Sequence, residues 1–183
     1  MLISKIMRTN LVLVSPNCDF ETLMCKIAEL APRQVYVVDD ELKLKGIITG
    51  YDLLKVVLPS YIDSNLLRSL SDSDDFLKKC IKAARSKTAK EIMITEFTAL
   101  RPTDHAMEAE ALIVEKRINA LPVLDEDGVL LGEVHRRDIL NYMVKTCLNC
   151  NLKKLQTVDL AKIKKEEDKK KYLYNLQNEG NND

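Results

Sequence analysis

Two aspartates, Asp52 and Asp138, stand in nearly the same company. The first closes the phrase Gly46-Ile47-Ile48-Thr49-Gly50-Tyr51-Asp52 and leads into the apolar run Leu53-Leu54-Lys55-Val56-Val57-Leu58. The second closes Gly132-Glu133-Val134-His135-Arg136-Arg137-Asp138 and leads into Ile139-Leu140-Asn141-Tyr142-Met143-Val144. Each phrase reads as the end of a buried strand, a polar elbow, and a helix capped by an acid, because an Asp carboxylate accepts a hydrogen bond from a free amide of the first turn. The chemistry on offer is binding chemistry. An ionised carboxylate has only acceptors and meets donors. A helix N-terminus carries partial positive charge and holds anions such as phosphate. The second phrase adds the titratable His135 and the guanidinium groups of Arg136 and Arg137, which suit phosphates better than a neutral nucleoside. Taken singly, each Asp is explained by a helix cap; the recurrence asks for more.

Few other residues could react. Only two histidines exist, and no Ser-His-Asp set, paired carboxylates or Gly-rich phosphate loop is present, so the chain reads as non-enzymatic and without a required cofactor. His105 falls where a helix begins and reads as solvated. Cys147-Leu148-Asn149-Cys150 is a single CxxC, whereas zinc usually takes four ligands. A site shared across a dimer axis, a redox pair, or two ordinary thiols at a helix end all remain open. Cys18, Cys25 and Cys80 read as core or surface thiols. Five cysteines without framework spacing fit a reducing compartment, and the reading is cytoplasmic.

Composition narrows the partners. An apolar share of 46% with 31% charged residues is that of a soluble globular protein. Lys+Arg and Asp+Glu balance at 28 each, so no basic field points to nucleic acid or anionic lipid. The apolar stretch near Leu11 to Val14 is too short for a signal peptide and is broken by Asn10 and Pro16. No segment approaches the roughly 20 apolar residues that span a bilayer.

The elements that would position the two phrases follow from periodicity. Ser4 to Met7 suggests a short helix or turn, and Leu11 to Val14 a strand stopped by Pro16. Asp19 caps a helix whose apolar positions are Phe20, Leu23, Met24, Ile27 and Leu30, one face of a 3.6-residue repeat ended by Pro32. Val35 to Val38 is a buried strand, Asp39-Asp40-Glu41 a turn, and Leu44 to Thr49 its antiparallel partner. Shifting the chain by 86 residues lays this pattern on a second copy. Ile6-Met7 falls on Ile92-Met93, Thr9 on Thr95, Pro16 on Pro102, Ile27 on Ile113, Glu29 on Glu115, Val37 on Val123, Asp39 on Asp125, Gly46 on Gly132, and Leu54 on Leu140. The chain is therefore an α/β tandem repeat of a β-α-β-β-α unit. Residues 1–58 form the first copy and 88–146 the second. Residues 59–87 form a helical insertion, with stretches Tyr61 to Leu70 and Phe76 to Ala84 parted by the acidic loop Ser71 to Asp75, read as packing on the second copy's edge. Residues 147–183 form a Lys-rich, partly helical tail, with Tyr172, Leu173, Tyr174 and Leu176 available to a partner.

The paired phrase, with Ala120-Leu121-Pro122-Val123-Leu124-Asp125 before its second occurrence, resembles the signature of the cystathionine-β-synthase-type (CBS) domain. In that family units end in strand-Gly-h-h-Thr/Ser-x-x-Asp-helix and occur in tandem as a Bateman module. The resemblance implies two units packed with pseudo-twofold symmetry and clefts between them that bind AMP, ADP, ATP or S-adenosylmethionine as regulatory ligands. It further implies that Asp52 and Asp138 hold ribose hydroxyls, that Thr49 (followed by Gly50 and Tyr51) lies near ribose or phosphate, and that the strand beginning at Ala120 meets the adenine. His135 replaces the Thr in the second copy, with Arg136 and Arg137 after it, and Tyr36 stands where the motif has Pro. The two sites are accordingly inequivalent, the second more directed to phosphate. Arg33 and Asn119 precede the adenine strands at equivalent positions and would line the cleft mouths.

The helices after both phrases also carry apolar residues on nearly every side, five of six in Leu53–Leu58 and five of six in Ile139–Val144. One stripe suffices to cover a small sheet, so the excess points to burial against another chain, a homodimer. The family resemblance points the same way. The functional expectation is a regulatory sensor of adenosyl ligands that signals to a partner protein; the alternative is a ligand-independent dimerisation or adaptor subunit.

Overall fold

A computed structural model describes residues 1–58 and 73–148 of the chain. Both copies of the repeat lie in one compact unit, Met1–Cys147. After a 3-10 turn at Ile3–Lys5, the first copy comprises β1 (Leu13–Val14), α1 (Phe20–Leu30), β2 (Val35–Val38), β3 (Leu44–Ile48) and α2 (Gly50–Val57). The insertion supplies α3 (Ser73–Ala84). The second copy follows as α4 (Ala89–Ile92), α5 (Ala106–Lys116), β4 (Ala120–Leu124), β5 (Leu130–His135) and α6 (Arg136–Met143), ending in a π-helical turn, Val144–Leu148.

The 86-residue shift holds at the level of backbone pairing. In the first copy β1 runs parallel to β2, and β2 antiparallel to β3, with Val35 opposite Ile48, Val37 opposite Gly46, and a bulge between Val37 and Val38. In the second, Leu121 faces Val134, Val123 faces Gly132, and the bulge lies between Val123 and Leu124. The counterpart of β1 is reduced to Leu100, whose amide and carbonyl bond to Pro122 and Leu124. Each copy builds most of its own core: Phe20, Leu23, Val35, Val37 and Ile48 in the first, Ala109, Ile113, Leu121, Val123 and Val134 in the second. A smaller core of Tyr36, Val38 and Ile47, with Phe97 and Leu130 against it, lies between the two sheets. There the hairpin loops clasp each other through Leu44 N to Gly128 O and Leu130 N to Leu42 O, 3.1 and 3.0 Å, a pair related by the same shift.

The leading segments are exchanged between copies. Ile3, Ile6 and Met7 pack into the second core, while Ala89, Ile92 and Met93 pack into the first. Arg8 bridges to Glu133 on β5, and its counterpart Ile94 bridges to Ile47 on β3. This exchange explains the glycine that opens each phrase. A Cβ on Gly46 would lie 2.7 Å from Met93 Cγ and 2.9 Å from the Ile94 carbonyl, and one on Gly132 would lie 2.7 Å from the Arg8 carbonyl. The strand is glycine because the other copy's arm crosses it there.

Two readings need correction. Asp52 and Asp138 are not N-caps. The caps are Thr49 and His135, and each Asp is the third residue of the helix, its carboxylate reaching back to the cap residue's amide in the capping-box arrangement. A Thr three residues before an Asp carries this signature, and the acid's place in it is N3. Second, α3 does not pack on the edge of the second copy. Phe76, Cys80, Ile81 and Ala84 join the first core, with α3 against α2. The acidic residues Asp74 and Asp75 form its first turn instead of a loop, where they face the positive end of the helix dipole. Asp19 caps α1 as expected, its Oδ1 accepting from Thr22 N at 2.9 Å, but the strand expected from Leu11 begins only at Leu13, and Leu30 at the end of α1 is 60% exposed. Cys18 is half-buried, Cys25 exposed and Cys80 buried, all free thiols. The stretch Tyr61 to Leu70, the CxxC as a pair, and the tail with Tyr172 to Leu176 lie outside the described residues.

Candidate functional site

Each strand-to-helix elbow presents its cap residue toward the entry of the opposite copy's central strand. Ala31 and Arg117, at equivalent positions, end α1 and α5 in left-handed conformation, with φ 45° and 54°. Both turn the chain directly into β2 and β4. Two clefts result, related by the 86-residue shift, and their linings have diverged.

The narrower cleft, about 620 Å³, combines the elbow of the first copy with the strand entry of the second. Thr49, Gly50 and Tyr51 form one side, Asn119, Ala120 and Pro122 the other. Ile47, Ile94 and Phe97 give it an apolar floor, and the cations Lys116 and Arg117 stand at its edge with Glu96. Asp52 is behind Thr49 and not on the wall. Its Oδ2 accepts from the Thr49 amide at 2.7 Å and from the Thr49 hydroxyl at 2.6 Å, and Oδ1 has no partner among the described residues. At 8% exposure Asp52 is a buried acceptor one residue deep.

The wider cleft, about 970 Å³, joins the elbow of the second copy to the strand entry of the first. Its chemistry differs at most equivalent positions: Arg8 replaces Ile94, Glu133 replaces Ile47, His135 replaces Thr49, Arg137 replaces Tyr51, Gln34 replaces Ala120. Tyr36 stands in place of Pro122 behind the wall, fully buried. Its hydroxyl donates to Glu133 Oε2 at 2.7 Å and accepts from Gln34 Nε2 at 2.5 Å. Burial pushes the Tyr36 hydroxyl up, and the Glu133 charge beside it adds to the effect, so it stays a neutral donor. Glu133 Oε1 also lies 2.7 Å from His135 Nε2. Nε2 is buried and makes no hydrogen bond among the described residues, so the contact becomes an ion pair only when the imidazole carries a proton on both nitrogens.

Asp138 is held differently from Asp52. Arg8 Nε donates to both carboxylate oxygens, at 3.0 and 2.9 Å, and Nη2 to Oδ1, while the His135 amide bonds Oδ2 at 3.0 Å. Burial pushes the Asp138 carboxyl up, but the Arg8 hydrogen bonds, the His135 amide and the Arg8 charge outweigh it and hold it below the ordinary carboxylate range.

Of the residues singled out from sequence, Thr49, Tyr51, Asn119 and Ala120 meet in the narrow cleft, Arg33 lines both, and His135 lines the wide one. Arg136 lines neither. It flanks a small neighbouring cavity with Arg33, Asn119 and Leu140, its amide bonded to the Asn119 carbonyl at 2.9 Å, and Arg137 occupies the wide cleft in its stead. Sequence reasoning missed Arg8, Lys26 and Glu133 in the wide cleft and Phe97, Lys116 and Arg117 in the narrow one. The repeat itself held the signal for two of these: Arg8 and Glu133 are charged where their counterparts, Ile94 and Ile47, are isoleucine. Among the described residues no cluster of three metal-ligating side chains occurs and no helix is long and apolar enough to cross a membrane.

Comparison with known proteins agrees with this architecture. CBSX2, a chloroplastic CBS domain-containing protein of Arabidopsis thaliana, is 27% identical over 145 residues, covering 73% of this chain. The match spans only 58% of CBSX2. A CBS domain-containing protein of Dictyostelium discoideum is 26% identical over 144 residues, covering 79% of this chain and 92% of its own. The crystal structure of CBSX2 in complex with AMP superposes with a TM-score of 0.61 at 23% identity, over 79% of this chain and 96% of that one. The CBS domain pair of protein MJ0100, solved with 5′-methylthioadenosine and S-adenosyl-L-methionine, gives a TM-score of 0.59 at 19% identity over 79% of this chain and 97% of that one. At these identities the structural likeness is one of fold. Residues 3–59 and 89–145 each match the CBS domain profile; the chain therefore belongs to the CBS domain family and carries two copies in tandem.

Proposed function

We propose that the protein is a non-catalytic regulatory module that binds an adenosine-containing ligand, such as AMP, ADP, ATP or S-adenosylmethionine, in the narrow cleft and signals its state to a partner protein. The observation that carries this reading is the convergence of three kinds of contact in one cavity, with a fourth, Asp52, directly behind its wall. Ile47, Ile94, Ala120 and Pro122 offer an apolar slot for a base. Asp52 has one carboxylate oxygen without a partner among the described residues, an acceptor for a ribose diol. Thr49 and Tyr51 flank it at the first turn of α2, and Lys116 and Arg117 supply positive charge for phosphate or carboxylate. The volume is within the range of small-molecule sites. The complexes of CBSX2 with AMP and of MJ0100 with S-adenosyl-L-methionine support this class of ligand. Cys18, Cys25 and Cys80 as free thiols suit a reducing compartment such as the cytoplasm.

The test is a thermal-shift and calorimetric titration with AMP, ADP, ATP and S-adenosylmethionine. At least one ligand is expected to raise the melting temperature. Asp52→Asn, which can still accept from the Thr49 amide, is expected to weaken that ligand about tenfold, the loss of one charge-assisted hydrogen bond, with the unliganded melting temperature nearly unchanged. A silent panel favours the second reading, a ligand-independent dimerisation subunit. That reading has its own observation: Leu54 and Leu140, equivalent residues of α2 and α6, are 62% and 53% exposed, with Val114 and Met107 of α5 also bare.

A further inference from the structure

We infer that the wide cleft has lost the nucleoside chemistry of its twin and instead takes a multiply charged phosphate anion, so that the chain has one nucleoside site and one oligophosphate site. The inference goes beyond the nucleotide reading of the narrow cleft and stands without it. Two features remove the nucleoside. The acid that would face a ribose, Asp138, has both oxygens already engaged by Arg8 and the His135 amide, whereas Asp52 Oδ1 has no partner among the described residues. The apolar slot at the strand entry is also gone, although Leu11, Val12, Leu13 and Leu30 still line other parts of the cleft. Where the narrow cleft has Ala120, Pro122 and Ile47, the wide one has Gln34, Tyr36 and Glu133, tied to one another by hydrogen bonds. A planar base would have to break that buried set or leave its members unpaired, a costly exchange.

What remains suits phosphate. Lys26, Arg33 and Arg137 line the cavity from α1, the turn after it and the first turn of α6, and none is ion-paired among the described residues. Arg8 adds a fourth cation whose charge Asp138 offsets. His135 contributes a buried Nε2 that has no hydrogen bond among the described residues, a polar atom that a protein normally satisfies with a partner. Glu133 is the one carboxylate on the wall among the described residues; its Oε2 accepts from the Tyr36 hydroxyl, and its Oε1 lies beside His135 Nε2 without a hydrogen bond. Three uncompensated cations around some 970 Å³ of open volume match a chain of phosphates better than a single one.

The experiment is calorimetric titration of the full chain with inorganic tripolyphosphate, alone and with saturating AMP, repeated on Arg137→Ser and Lys116→Ser. The expected result is one tripolyphosphate per chain, bound alike with and without AMP and weakening with added salt. Arg137→Ser should lower that affinity at least tenfold while Lys116→Ser leaves it unchanged, and AMP should titrate to one per chain with an affinity that Arg137→Ser does not alter. Heat that never saturates overturns the inference. So does an equal loss in Lys116→Ser, or AMP titrating to two per chain with one site removed by Arg137→Ser. If AMP gives no heat while the tripolyphosphate pattern stands, the wide-cleft site is upheld and the nucleotide reading of the narrow cleft fails alone.

Discussion

Arg8 and Asp138 lie 130 positions apart in the chain and share a three-bond ion pair at the rim of a cleft. The Asp138 side chain is 12% exposed and that of Arg8 45%, so the pair falls between an exposed bridge and a buried one. Arg8→Met is expected to cost about 1–2 kcal/mol at neutral pH on that scale. The pH dependence follows from the lowered carboxyl. A carboxylate held below its unfolded value adds stability above that value, near 4 for a free Asp, and loses it as pH falls through the folded one. In Arg8→Met the burial remains and its opponent is gone, so the Asp138 carboxyl should move up. The gap between wild type and variant is then widest above about pH 4 and closes in acid. Urea midpoints against pH, with a carboxyl NMR titration of Asp138, check both points; an unmoved carboxyl would refute the pairing. At this scale the sequence was legible where chemistry repeats: the pairing of Thr49 and Asp52 with His135 and Asp138 could be read, though residue type alone points to each Asp as the cap when it is the third helical residue. Arg8 could not, because nothing local to residue 8 tells of a partner on the far helix.

Among the elements, the strand arms that cross Gly46 and Gly132 constrain the fold most narrowly. Gly46→Ala puts a methyl against Met93, a flexible side chain, but also within 2.9 Å of the Ile94 carbonyl, and Gly132→Ala meets the Arg8 carbonyl at 2.7 Å. Backbone cannot step aside as a side chain can, so each variant should lose about 1–3 kcal/mol by overpacking. For a chain of this size that is a fall of roughly 2–4 °C in melting temperature per kcal/mol, read by calorimetry; an undiminished melting temperature would count against the crossing. The helices and strands themselves were readable because apolar period and turn residues report local geometry. The partner of α3 was not. An amphipathic stripe such as Phe76, Cys80 and Ala84 says which face is buried and leaves open what covers it, and here that is α2 of the copy before it.

At the scale of the molecule, the second copy is the first turned about a pseudo-twofold axis near Lys43 and Val129, which bridge each other. Symmetry leaves Leu54 and Leu140 in equivalent exposed places, each too apolar to be an ordinary surface position in the company of Val114 and Met107. A double Leu54→Asp, Leu140→Asp variant should remain folded and run as a monomer in size-exclusion chromatography with light scattering, where the parent chain is expected to run as a dimer. A monomeric parent at micromolar concentration would remove the dimer from the proposal. The tandem architecture was legible from end to end of the repeat, since two copies agree in order and spacing. The inequality of the clefts was visible only in part, through His135 and Tyr36, because it depends on which residues of one copy face which residues of the other.

The exchanged arms carry a consequence for how the chain comes into being. During synthesis the first copy leaves the ribosome with its core unfinished, since Ala89, Ile92 and Met93 are still to be made. The second copy, when it emerges, finds its missing piece already waiting at the N-terminus in Ile3, Ile6 and Met7. Neither half is a freestanding gene product in miniature; cut between them, each fragment would carry the other's keystone.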